Sequence, residues 1–138
     1  MNIKKVPIKD IEGWDKNPRK ISKDGIERIK KSIEKFGFIN PIIGMNKNGK
    51  IEIVAGHQRF KAAKKAGLKE VPVLVYPFKS NKEAYAYNVA DNRLNELSTW
   101  DFPLLKDIIE ILDDGQFDIK LTGFSDIEIE ALMGFYLS

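Results

Sequence analysis

The run IEIVAGHQRFKAAKKAGLKEVPVLVY, residues 51–76, constrains the fold more than any other stretch of the chain. A β-branched segment ends at Ala55-Gly56, a helix-forming segment follows with no spacer, Gly67 closes it, and a second β-rich segment begins at Val71. Strand, short helix and strand must therefore follow one another in little space. The chain's single histidine, His57, and Arg59 stand on the first junction.

The flanking sequence fits a mixed architecture around that unit. Strands are expected near residues 3–8, 41–45, 50–55 and 71–76, the middle two joined as a hairpin through NKNG. A first helix runs through SKDGIERIKKSIEKFG. Ile26, Ile29, Ile33 and Phe36 fall on one face, Asp24 and Glu27 have capping-box spacing, and Gly37 stops it. Asn81 is the expected cap of a helix through ADNR. Asp101, Pro103 and Gly115 delimit another over 101–114. FDIKLTGF reads as an irregular or extended link, and Ser125 and Glu128 open a last helix over 126–136. The fold class is α+β: a small mixed β-sheet surrounded by helices, with a C-terminal helical extension. Residues 1–97 are expected to form one domain and 98–138 a helical extension packed on it as a cap. Trp14 and Trp100 are expected to pack rather than to stack bases.

Composition narrows the chemistry. With no cysteine among 138 residues there is no disulfide, thiolate zinc site or cysteine nucleophile, and one histidine excludes a multi-histidine metal site. The start MNIKKVPIKD lacks the apolar core of a signal peptide and no run approaches a membrane span, so a cytoplasmic protein with no membrane partner is expected. The net charge of +3 conceals an asymmetry: residues 1–88 carry 20 Lys/Arg against 9 Asp/Glu, residues 89–138 carry 3 against 11. The basic half suits an anion, nucleotide or nucleic acid, and equally suits a lysine-rich solvated surface.

At the junction, Gly56 lets a ligand approach the backbone closely. The first helical N–H groups lack intrahelical partners and carry the positive end of the helix dipole, so phosphate binds there readily. Arg59 adds a planar bidentate donor, Lys61 a point charge, and His57 and Gln58 further donors. Asn17 and Arg19 in the NPRK loop, and Asn40 in FGFINPI, are expected to line the opposite wall. In ADNR, Asp91 and Asn92 supply oxygens of the kind Mg²⁺ accepts, and a solvated helix face explains them equally well.

The order SIEKFGFINPI, VAGHQRFKAAKKAGLKEVPVLV, ADNRLNEL resembles the N-terminal domain of the ParB/sulfiredoxin superfamily over roughly residues 3–97. The GERRxRA phosphate motif of partition ParB proteins falls on Gly56, His57, Gln58, Arg59, Phe60, Lys61 and Ala62. His57 stands for its Glu, Gln58 for its first Arg and Lys61 for its last. Asp91-Asn92 resembles the start of the family's ENxxR magnesium motif, with its arginine adjacent, at Arg93. The turn reads GCHR in sulfiredoxin, and His57 in the cysteine's place excludes sulfinic-acid reduction. A narrower likeness is to ParB-like domains of phages and mobile elements associated with DNA methyltransferases. These share ADNR, a WD pair and LTGF, and this chain has neither a DPPY-type motif nor a central helix-turn-helix domain.

The resemblance implies a nucleotide partner, CTP or ATP/ADP, with Mg²⁺ as the accompanying cofactor. It also implies weak contact with DNA directly or through a partner domain, in partition or modification. Slow CTPase-like NTP hydrolysis, a non-catalytic accessory of a DNA methyltransferase, and phosphotransfer of the free-serine-kinase kind remain open. A nuclease fits poorly, because no acidic cluster suited to two metals is evident.

Overall fold

The computed structural model describes residues 3–15 and 17–136 of the chain. It divides into two compact units, Met1–Leu97 and Ser98–Ser138. The first holds a five-stranded mixed sheet of order β1-β5-β3-β4-β2. Its strands are β1 (Ile3–Pro7), β2 (Ile11–Glu12), β3 (Ile42–Lys47), β4 (Lys50–Ala55) and β5 (Glu70–Val75). β1 pairs antiparallel with β5 and β3 antiparallel with β4, while β3–β5 and β2–β4 are parallel. The two-residue strand β2 has no counterpart in the sequence reading. A 3-10 turn at Ile8–Asp10 ends β1 one residue early and delivers Ile11 to the sheet edge.

Strand alternation sends Ile42, Ile51, Ile53, Val71 and Val73 to one face, where they pack with Val6, Ile11, Phe60 and Ala63. Phe60 and Ala63 belong to α2 (His57–Lys65), and α1 (Lys23–Phe36) adds Ile26 and Ile33 against Ala62. The helix α3 (Asn81–Glu96) contacts β4, with Ala84 and Asn88 buried.

Two expected caps move. Ser22, in extended backbone, caps α1 by accepting from the Gly25 N–H at 3.0 Å. Asp24 is already helical and pairs with Arg28 at 2.9 Å, while Glu27 pairs with Lys65 of α2 at 3.5 Å. Ser80, not Asn81, caps α3 by accepting from the Glu83 N–H at 3.1 Å. In both cases the residue still in extended backbone holds the geometry that reaches the third helical N–H.

In the second unit, α4 (Phe102–Leu112) and α5 (Asp126–Tyr136) touch one another, with Ile109 and Leu132 buried. Asp101 caps α4. Ser125 and Glu128 form a reciprocal capping box at 3.2 and 2.9 Å. The link expected to be irregular or extended contains a 3-10 turn at Ile119–Thr122. Trp100 is 58% exposed and meets Phe124 at 5.5 Å between ring centroids, so it is a surface contact and not the packing residue expected.

Candidate functional site

The sequence places a glycine where β4 must turn directly into α2, and the backbone uses it. Gly56 has φ 108° and ψ 22°, the left-handed region. A Cβ there would stand 2.9 Å from Arg59 Nη2 and 3.2 Å from Ile42 Cγ1. Glycine has no side chain with which to cap α2, and among the described residues no side-chain cap hydrogen bond is made there. The first bond of the helix is Phe60 N–H to the Gly56 carbonyl at 2.9 Å, which leaves the amides of His57, Gln58 and Arg59 without intrahelical partners.

Arg59 is half-buried. Its Nη2 donates to the Pro41 carbonyl at 2.9 Å, and its Nε is buried with no hydrogen-bond partner. Burial pulls the guanidinium pKa down, and the charge of Asp91, with a smaller contribution from Tyr87, opposes that shift. Arg59, Asp91 and Tyr87 thus share one electrostatic neighbourhood that links α2 to α3. The arginine is held by a backbone carbonyl through one of its five N–H groups.

His57 is engaged within the fold through Nε2. It is 6% exposed, and its Nε2 accepts the Trp14 backbone N–H at 3.2 Å. Burial, reinforced by the Lys61 charge, lowers its pKa to about 4. The ring is therefore neutral at pH 7, with its proton on Nδ1. The Trp14 indole in turn stacks on Tyr85 of α3, 4.6 Å between centroids at an interplanar angle of 1°. His57 is a brace between the turn and the loop after β2. Gln58 is half-buried and Lys61 exposed at the same end of α2.

The remaining expected wall residues have other engagements. Asn17 Nδ2 donates to the Arg19 carbonyl at 3.3 Å, and Asn17 Oδ1 accepts from the Arg19 N–H at 3.4 Å. Arg19 pairs with Glu96 Oε1 at 2.9 Å, and Arg93 with Glu96 Oε2 at 3.2 Å. These exposed pairs gather Arg19 and Arg93 around a shallow groove that Pro18, Val89 and Asn92 complete. They tie the loop to the end of α3, and no hydrogen bond joins Asn17, Arg19 or Arg93 to the glycine turn. Asn40 is exposed, and the neighbouring Pro41 makes the contact with Arg59. Asp91 and Asn92 are half-buried, with Asn92 Nδ2 donating to the Asn88 carbonyl at 2.9 Å. Among the described residues no three His, Cys, Asp or Glu side chains form a metal cluster. A Mg²⁺ beside Asp91 would thus take most of its ligands from phosphate and water, as this ion commonly does.

One polar anchor escaped the sequence reading. Asn88 of α3 is 1% exposed and donates to the Val54 carbonyl at 2.8 Å, two residues before Gly56. Its Oδ1 is buried without a partner. The only sequence signal was its spacing of four from Ala84 on the face that packs.

Residues 1–92 match the model of the ParB N-terminal domain. The chain belongs to this family. Over 91 residues it is 35% identical to the probable chromosome-partitioning protein ParB of Coxiella burnetii, covering 65% of this chain and 31% of that protein. The ParB domain thus spans about a third of this relative's length. A solved structure of C-terminally truncated ParB from Caulobacter crescentus, complexed with CTP-γ-S, superposes with a TM-score of 0.81 over 96% of this chain and 77% of its own, at 21% identity. Sulfiredoxin from Arabidopsis thaliana superposes with a TM-score of 0.53 at 21% identity, over 64% of this chain and 98% of its own. These likenesses show a ParB/sulfiredoxin-like fold. Among the described residues of this ParB domain, no helix is long and apolar enough to cross a membrane.

Proposed function

We propose that this ParB domain binds a nucleoside triphosphate, CTP in the first instance, with its phosphates at the N-terminus of α2, and that it serves DNA partition. The observation that carries the reading is the uncapped start of α2 behind a left-handed Gly56, with the Arg59 guanidinium anchored beside it by the Pro41 carbonyl. Free amides, a helix dipole and a cation converge on one small volume, which suits phosphate. The Caulobacter neighbour's complex with CTP-γ-S supports the choice of nucleotide. Asp91, whose charge acts on Arg59, is the carboxylate we assign to a Mg²⁺ shared with those phosphates. His57 supports the site by holding the loop at Trp14, not by touching the ligand through Nε2.

The test is calorimetric titration with CTP, ATP and GTP, with and without Mg²⁺, in the full chain and in Arg59→Ala. Loss of one charge-assisted hydrogen bond, about 1.5–3 kcal/mol, corresponds to roughly 10- to 100-fold weaker binding with the fold retained. Unchanged affinity in a correctly folded Arg59→Ala protein would refute the reading. Phosphate release in the same samples tells slow hydrolysis from binding alone.

A further inference from the structure

On the sheet face away from the main core, α3 lies over β4 and leaves β3 and β5 partly uncovered. The register places Ile3, Leu74 and Ile43 side by side across β1, β5 and β3, and Ile3 is 54% exposed. Ala86 and Ala90 of α3, four apart, face this floor with the smallest side chains that still favour a helix, so a groove stays open between helix and sheet. Its volume is ≈ 570 Å³, within the range of ligand sites. Three aromatic residues complete the wall. Tyr76 and Phe78 lie 4.7 Å apart between centroids and Phe78 and Tyr87 5.6 Å, at interplanar angles of 55° and 51°. Tilted in this way, the rings are not consumed by parallel stacking, and the two tyrosines remain partly exposed. Glu83 is the only charged residue among the described residues of the lining. Its helix-capping contact is made by its backbone N–H, which leaves the carboxylate out of that bond.

We propose that this groove is a docking site for an arginine- or lysine-bearing segment of a partner protein. The aliphatic stem lies on Ile43, Leu74 and Ala90, and the cationic head among the three aromatics and Glu83. The argument is complementarity. Aromatic faces and a carboxylate attract a cation, while an apolar floor accepts the stem that carries it. A nucleic acid is the poorer occupant, because among the described residues no lysine or arginine lines the groove to hold phosphate. The groove adjoins the phosphate-binding turn through Tyr87, which neighbours Arg59, but neither Gly56 nor Arg59 is among its described lining residues, and the proposal stands whether or not nucleotide binds at that turn.

The test is a titration of the full chain, followed by amide and aromatic NMR signals, with an acetylated Leu-Arg-Leu peptide amide and its citrulline twin. Citrulline keeps the shape and removes the charge. The arginine peptide is expected to shift Ile43, Leu74 and Tyr87 signals, and the citrulline peptide to bind about tenfold more weakly. Glu83→Gln should weaken the arginine peptide about fivefold, and Ala86→Phe, which fills the groove, should abolish the shifts, with dispersed spectra reporting an intact fold in each. Equal binding of the two peptides overturns the proposal. So does an absence of shifts up to about 10 mM peptide, occupation of the groove by cytidine or adenosine instead, or shifts that grow with protein concentration alone, which would make a second copy the occupant.

Discussion

Gly56 is a residue at which backbone and site cannot be separated. Alanine there would have to hold φ 108° and would press on Arg59 Nη2 at 2.9 Å and Ile42 Cγ1 at 3.2 Å. Gly56→Ala should therefore cost about 1–3 kcal/mol in urea unfolding and also weaken nucleotide binding, because the strain is relieved by moving the guanidinium. His57 yields a pH prediction. Its folded pKa of about 4 lies below the ordinary value of 6.5, so between these values the unfolded chain binds the extra proton. The neutral ring's contribution is complete above pH 6.5 and is lost as pH falls toward 4. Its size is about 3 kcal/mol, an upper value for an imidazole this buried. His57→Gln should flatten that part of the stability–pH curve relative to wild type, and parallel curves would show that the imidazole does not titrate as described. The glycine and arginine could be read from sequence because a strand, a glycine and a helix start are neighbours in the chain. The Trp14 N–H that His57 accepts lies 43 positions away, and no local pattern encodes such a pairing.

At the level of elements, α3 is the helix on which the site depends from behind. It brings Asp91 and Tyr87 toward Arg59, and Asn88 fixes it to β4 through the Val54 carbonyl at 2.8 Å. Asn88→Ala removes the donor and leaves a buried carbonyl unpaired, so a loss of about 1–3 kcal/mol is expected in thermal or urea unfolding. The partnerless Oδ1 makes Asn88→Asp a sharper probe, since burying a carboxylate without a donor should destabilise more than alanine does. If aspartate were tolerated as well as alanine, an unseen donor would have to face that oxygen. The type and order of the four longer strands and the five α-helices were legible, because β-branched runs and three-to-four-residue apolar spacing mark them. Their ends were less so: Ser22 and Ser80 took over capping from Asp24 and Asn81. Capping depends on which residue is still extended, and several neighbouring polar side chains qualify on composition alone. β2 was invisible because two residues carry no periodicity, and only its parallel pairing with β4 makes it a strand.

For the molecule as a whole, charge separation along the chain sets the expected behaviour toward DNA. Residues 1–88 hold 20 Lys/Arg against 9 Asp/Glu, and residues 89–138 hold 3 against 11. Some of these cations are paired in the fold, Arg19 and Arg93 to Glu96, Lys47 to Glu52 and Lys65 to Glu27. Exposed pairs of this kind are individually weak, and a polyanion can compete for them. Each phosphate contact that forms releases counterions, which makes affinity fall steeply with salt. A 24-base-pair duplex should therefore bind weakly at about 50 mM salt and be lost near 200 mM, with little preference between sequences. Fluorescence anisotropy across that range reads both the slope and the specificity. A duplex of one sequence held tightly at about 200 mM salt would overturn this expectation and point to a base-reading element in the chain. Charge-reversal of Lys20 and Lys23, both exposed, should lower the low-salt affinity severalfold without altering nucleotide binding. Were the two activities to fall together, the phosphate-binding turn itself would be the surface that DNA touches.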